Sequence, residues 1–265
     1  DLHVRSRRQR QMCIRDSTKI ACQLLDRGIT QGDCIIVQLP NVVELVICYI
    51  AISKIGAIIS PVPVQYGQHE LHHISKTLCP VAIVSMPYFG SLPLGETAAA
   101  IAQDEIQLLL FGSELDIESA DMSDYQQQLK AYEQDHPTSA DNIVTICWTS
   151  GTTGTPKGVP RSHNMWIATA RCCAEAGNYQ TEDRFLNIFP LVNMASVGGF
   201  LYPALMLGCS LILHHPLDPS LYLTQLQDEK ITFTLAPPVL LNQLAKSADM
   251  WNRFDFSYLR SIGSG

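Results

Sequence analysis

Residues 143–163 read IVTICWTSGTTGTPKGVPRSH. The first part, Ile143 to Thr149, is apolar and rich in β-branched residues, which predicts a buried strand. From Thr149 the composition changes abruptly. Thr149-Ser150-Gly151-Thr152-Thr153-Gly154-Thr155-Pro156-Lys157-Gly158 holds three glycines, five hydroxyls and one ammonium. Glycine permits positive φ and close approach of the backbone to a ligand. Consecutive N–H groups in such a turn form an anion-binding concavity. Lys157 adds a point charge suited to phosphate. A helix is read over Asn164 to Ala176, so the loop is expected to join a strand to a helix, where ligands gather in α/β sheets. The physical reading is a triphosphate cradle; the plain alternative is a Gly/Thr-rich turn with no ligand. A nucleotide loop of the G-x-x-x-x-G-K-[ST] kind is excluded, because Pro156 precedes Lys157 and Gly158 follows it.

Outward from this loop, the chain alternates strand and helix. Before it, strands are predicted at Cys34–Leu39, Ala57–Ser60, Val81–Ser85 and Ile106–Phe111. Helices are predicted before Gly28, from an Asn41/Glu44 capping pair to Lys54, and over His69–Leu78. The stretch Glu114 to Asp124 is acidic and without period, so a surface linker. After the loop, strands are predicted at Phe185–Phe189, Ser210–His214, Ile231–Ala236 and Leu259–Gly265, with helices centred on Leu201, Leu223 and Leu241. Apolar strands alternating with helices imply an α/β fold with mostly parallel sheets covered by helices. The organisation expected is a first α/β subdomain over residues 18–140 with its acidic linker, and a second over residues 141–265 that carries the loop. Residues 1–17 are basic and apolar-poor, and QMCIRDS resembles translated sequencing adapter. They are set aside as a non-native or disordered tail.

Bulk properties narrow the function class. The chain has 265 residues, 46% hydrophobic and only 16% charged, with a formal net charge of -7. This is unlike a nucleic-acid binder and unlike a disordered chain. Val42 to Val64, the most apolar stretch, contains Glu44, Lys54, Pro61 and Pro63, so no membrane span is expected where about 20 apolar residues are needed. The nine cysteines form no C-x-x-C pair and are read as reduced core residues of a cytoplasmic protein. The pairs His72-His73 and His214-His215 are adjacent and diverge in either helix or strand, so neither makes a metal site alone.

TSGTTGTPKG followed by Val159-Pro160-Arg161-Ser162-His163 resembles the phosphate-loop motif of the adenylate-forming superfamily, which includes acyl- and aryl-CoA ligases, luciferases and peptide-synthetase adenylation domains. Weaker matches occur in the same order. They are Gly32-Asp33, Gln38-Leu39-Pro40-Asn41, Gly56-Ala57 and Pro61-Val62, then Phe189-Pro190-Leu191, Gly208-Cys209-Ser210, Pro237-Pro238 and Leu259 to Gly265. The resemblance implies a large N-terminal domain with two stacked, mostly parallel sheets flanked by helices. It implies activation of a small carboxylic acid by ATP and Mg²⁺ to an acyl-adenylate, with release of pyrophosphate and thioester formation with coenzyme A. Thr149, Ser150, Gly151, Thr152, Thr153, Gly154, Thr155 and Lys157 would bind the ATP phosphates, the hydroxyls of Thr152 and Thr153 foremost. Asn193, Gly263, Ser264 and Gly265 would line the acyl-adenylate pocket. Asn193 stands where the family often has His, and Ser196 where a Gly is common; Asn193 could instead satisfy loop backbone. No metal ligand and no catalytic residue is assigned in this stretch. The adenine, ribose and Mg²⁺ motifs and the C-terminal domain with its Lys are expected beyond Gly265. Two alternatives stay open: a stand-alone aryl-acid adenylating enzyme that loads a carrier protein, and a non-catalytic nucleotide-binding module.

Overall fold

The structure is a computed structural model that describes residues 2–103, 105–117, 122–149, 156–246 and 253–264, with backbone alone for residues 2–12. The chain divides into two compact units, Arg7–Met165 and, in the main, Trp166–Gly265. The sequence reading put this division at 140/141. It falls later because the two strands that flank the Gly/Thr loop pair with the first sheet.

In the first unit the strands are β1 (Cys34–Val37), β2 (Ile58–Pro61), β3 (Ala82–Ser85), β4 (Gln107–Leu110), β5 (Ile143–Thr149) and β6 (Lys157–Ser162), in the spatial order β4-β3-β1-β2-β5-β6. All pairs are parallel except β5 with β6. Strands such as CIIV and AIVS are buried almost throughout, as expected of strands covered on both faces. Helix α2 (Val43–Lys54) is apolar nearly all round and buries Leu45, Ile47, Cys48, Tyr49, Ala51 and Ile52. Its cap position is Val42, with no side-chain bond, rather than Asn41. The Val42 N–H instead donates to the Pro40 carbonyl in a tight turn, which moves the helix start past Asn41. Helix α3 (Gln68–Leu78) opens where Glu70 accepts from the Gly67 N–H at 3.0 Å, and Leu71 and Ile74 enter the core. Helix α4 spans Leu94–Ala99 and α5 spans Ser123–Asp135.

The segment set aside as a tail is helical. Helix α1 runs Leu2–Leu25, and Asp16 and Ser17 are buried. The cause lies in α2: the Lys54 ammonium donates to the Ile14 carbonyl (3.1 Å), Ser17 Oγ (3.0 Å) and Thr18 Oγ1 (2.7 Å). Part of the acidic stretch is also anchored. Leu115 is fully buried, and Asp116 accepts from Lys19 Nζ at 2.9 Å. Residues 118–121 of that stretch lie outside the described residues.

The second unit carries a four-stranded parallel sheet in the order β10-β9-β7-β8, formed by β7 (Arg184–Asn187), β8 (Ser210–Leu213), β9 (Phe233–Ala236) and β10 (Ser261–Ser264). Helix α6 (His163–Ala176) leads into it from the first unit. After β7 the chain forms α7 (Met194–Ser196), one π-helical turn (Val197–Leu201) and α8 (Tyr202–Leu207). Gly198 sits in the π turn, where a Cβ would lie 2.7 Å from Thr169 Cγ2 and 3.2 Å from Trp166 Cζ3; only glycine lets the turn approach α6 this closely. Helices α9 (Pro219–Asp228) and α10 (Pro238–Ala245) complete the unit. Phe185, Phe200 and Phe233 pack with Tyr179 at centroid separations of 4.7 to 6.1 Å. Tyr222, Leu223, Leu226, Leu240 and Leu244 build a separate cluster.

Candidate functional site

Ser150, Gly151, Thr152, Thr153, Gly154 and Thr155 lie outside the described residues; both shoulders of the loop are described. Thr149 is directly opposite Lys157 in the antiparallel pairing of β5 and β6. The loop is therefore the connection of a β-hairpin, and a strand follows it, not the helix read from the sequence. Helix α6 begins only at His163, after β6. Opposed residues of an antiparallel pair share a face, so Thr149 and Lys157 project together, both exposed, from the closing end of the hairpin.

The opposite face of the hairpin is packed. Trp148 lies against the cluster containing Leu71 and Ile74 of α3, and its Nε1 donates to the buried Ser60 Oγ at 2.8 Å. Gly158 faces Trp148 across the pair, and a Cβ there would stand 3.0 Å from Ile146 Cγ2 and 3.3 Å from Trp148 Cη2. At the exit shoulder, His73 Nε2 lies 3.3 Å from the Pro156 carbonyl. Sequence reading missed both anchors, because Ser60 and His73 are remote along the chain and nothing in their neighbourhoods marks them.

Neighbouring titratable groups supply little to an anion. Burial pushes the Cys147 thiol up to about 11, so it is neither thiolate nor nucleophile near neutral pH. Burial holds the His163 imidazole below its ordinary value. The charge at the hairpin end is therefore that of Lys157. Ser162 Oγ accepts from the Met165 N–H at 3.3 Å, a capping bond for the first turn of α6.

In the second unit the sites read as an acyl pocket fall into two places on one sheet edge. Gly263 and Ser264 end β10, while Asn193 follows β7 by a short loop. The sheet is parallel, so β7, β9 and β10 all end at the same edge. Gly265 is outside the described residues. Gly263 has a packing reason for being glycine, since a Cβ there would meet Leu235 Cδ2 at 2.2 Å. The Asn193 side chain accepts from the Ser196 N–H at 3.1 Å and caps α7, which is the backbone-satisfying role weighed from the sequence. Ser196, fully buried, lies 3.1 Å from both Asn187 Oδ1 and the Phe189 carbonyl. Asn187 Nδ2 donates to the same carbonyl at 2.9 Å. This network fixes the Phe189-Pro190-Leu191 turn between β7 and α7. Ser196 was noticed in the sequence only as a departure from a pattern, yet its hydroxyl is the hub of the turn.

Neither histidine pair gathers ligands. His214 Nδ1 lies 2.5 Å from Gln225 Oε1, and its Nε2 accepts from the Asp218 N–H at 3.0 Å, so the ring is committed to α9. Among the described residues no group of three His, Cys, Asp or Glu could hold a metal ion, and no helix is long and apolar enough to cross a membrane.

A family model described as AMP-binding enzyme matches residues 14–265. The chain is 26% identical over 256 residues to 4-coumarate–CoA ligase 3 of Arabidopsis thaliana, covering 93% of this chain and 44% of that one. It is 26% identical over 248 residues to feruloyl-CoA synthase of an Amycolatopsis species, covering 93% and 47%. Among solved structures, o-succinylbenzoate coenzyme A synthetase of Bacillus subtilis, in complex with AMP, superposes with a TM-score of 0.73 at 19% identity, over 96% of this chain and 60% of that one. The chain thus spans about half the length of the curated relatives it matches.

Proposed function

The chain belongs to the AMP-binding enzyme family, and from that premise we propose that the protein activates a carboxylic acid with ATP and passes the acyl group to coenzyme A. The observation that carries this reading is the hairpin closed by Thr149 and Lys157, which presents a hydroxyl and an ammonium at the mouth of a Gly/Thr-rich connection. In the first step the acid's carboxylate oxygen attacks the α-phosphorus of ATP, and the bond to the bridging oxygen breaks. Pyrophosphate leaves with the electron pair, and an acyl-adenylate remains. The coenzyme A thiol then attacks the acyl carbon, releases AMP and gives up its proton. Little covalent chemistry falls to the protein in such a step, so holding the departing charge matters most. In this reading Lys157 and the hydroxyls of residues 149–155 hold the β- and γ-phosphates. Mg²⁺ would travel with the phosphates and offset their charge; among the described residues no group of three His, Cys, Asp or Glu could hold it.

The acid is proposed to be an aryl-propenoic or similar aryl acid. Both curated relatives above carry such acids in their names. The pocket would lie at the edge where β7 and β10 end, with Asn193, Gly263, Ser264 and Gly265 in its wall. Asn193 already accepts from the Ser196 N–H, so it meets a substrate through its remaining amide hydrogens, as a neutral donor. Free cysteines throughout the described chain suit a reducing compartment such as the cytoplasm.

The test is carboxylate-dependent exchange of labelled pyrophosphate into ATP, run on the whole protein with hydroxycinnamic, benzoic, fatty and carnitine-like acids. Exchange with the aryl acids is expected, followed by thioester formation when coenzyme A is added. Exchange with none of them would overturn the adenylation reading. Exchange without thioester formation would favour an acceptor on a carrier protein. Residues 1–265 by themselves are proposed to turn over negligibly, which the same assay checks.

A further inference from the structure

The two strands that flank the loop are held from one side by different means. On the entering strand, Trp148 is fixed by packing and by its bond to Ser60. On the exit strand Gly158 has no side chain, and Lys157 is exposed. Lys157 and Gly158 pair with Thr149 and Trp148, and Pro156, half-buried, is the described residue that precedes them. The described polar contact there is His73 of α3 against the Pro156 carbonyl, at 3.3 Å. A carbonyl can only accept, so His73 Nε2 must carry the hydrogen.

We infer that His73 is a positioning residue of the phosphate loop, tying the Pro156 carbonyl to α3 so that Lys157 is presented opposite Thr149. This rests on the reading of residues 149–158 as a phosphate loop. The partner of His73 is the Pro156 carbonyl, not a phosphate. His73 sets the peptide plane that joins Pro156 to Lys157, and with it the direction in which the lysine leaves the strand. Helix α3 is a firm base for such a tether, because Leu71 and Ile74 are fully buried on the helix that bears His73. The histidine pair His72-His73 thereby splits into an exposed member and a half-buried tether.

The experiment compares the intact chain with His73→Leu and His73→Gln. Leucine fills space without a donor, while glutamine places an N–H close to where Nε2 stands. Two quantities are measured: amide hydrogen exchange at Lys157 and Gly158, and affinity for Mg·ATP and for inorganic pyrophosphate. His73→Leu is expected to speed exchange at both amides and to weaken both ligands about threefold to tenfold, the effect of one ordinary hydrogen bond. His73→Gln is expected to restore both, with the melting temperatures of all three proteins alike. Unchanged exchange in His73→Leu, or failure of His73→Gln to restore it, would overturn the inference and leave His73 a packing residue. If the unaltered protein binds neither ligand, the phosphate-loop reading fails, and exchange alone still decides for or against the tether.

Discussion

Lys157 is the residue on which the proposed chemistry leans most directly. It is exposed, sits at the start of β6, and shares a face with Thr149. Lys157→Gln keeps most of the stem and removes the charge. Charge-assisted hydrogen bonds are worth roughly 1.5–3 kcal/mol, so the substitution should weaken Mg·ATP about tenfold to a hundredfold while leaving the melting temperature unmoved. Equal affinities by calorimetry would remove Lys157 from the phosphate site. Ser196 is the opposite kind of residue, buried and structural. Its single hydroxyl hydrogen serves either Asn187 Oδ1 or the Phe189 carbonyl. Ser196→Ala should cost about 1 kcal/mol in urea unfolding and loosen the turn before α7; an unchanged unfolding midpoint would show that the turn holds itself. The role proposed for Lys157 comes from its neighbours in sequence, because glycine and hydroxyl density is local information. That of Ser196 does not, because its partners belong to the end of β7 and are defined only once the chain turns back.

Strand β6 shows where reading the chain stops working. KGVPRS carries a glycine, a proline and two cations, and no alternation of apolar residues marks it as a strand. It is one nevertheless, because it lies at the sheet edge and needs to pair only with β5. Proline is tolerated on an edge where its missing N–H is not required by a second neighbour. The strands β1, β3, β5, β7 and β9 were legible to within a residue or two, since buried parallel strands are short apolar runs whatever surrounds them. Gly158 belongs to the same hairpin, and Gly158→Ala would bring its Cβ within 3.0 Å of Ile146 and 3.3 Å of Trp148. Overpacking of that order costs about 1–2 kcal/mol, and should appear as a shifted indole signal of Trp148 together with faster exchange in β6. A silent indole would mean that the sheet absorbs the methyl elsewhere. Only the first part of helix α1, residues set aside as a tail, escaped the sequence reading, which did predict a helix before Gly28. Its first residues are polar in sequence, and Ile14, Ser17 and Thr18 are tied to α2 by polar bonds from Lys54 that no hydrophobic period marks. Lys54→Met should therefore raise exchange through residues 13–25 more than in α2 itself, and protection equal to the parent would assign the anchoring to Lys19 and Gln23 instead.

Each compact unit has its own core and a half-buried imidazole, and both imidazoles set an acid limit in the same pH range. Burial lowers the pKa of His163 in the first unit; in the second, burial and then the neighbouring His214 lower that of His215. In an unfolded chain both would titrate near the ordinary value of about 6.5. Below that pH the unfolded state takes up protons that the native state refuses, so the unfolded state binds more protons and stability rises with pH. Stability is therefore full above about 6.5 and falls as the pH drops from there toward the lowered native values. The depressed carboxylates Asp218 and Asp255 act in the same sense but far lower, near the carboxylate range, and leave the window from pH 7 to 5 to the histidines. His163→Asn should flatten the pH dependence of exchange in β5, β6 and the start of α6, and leave β7 to β10 unaltered. His215→Asn should do the reverse. Peptide-resolved exchange at pH 7, 6 and 5 separates the two, and a single variant that flattened both profiles would show that the units unfold as one body.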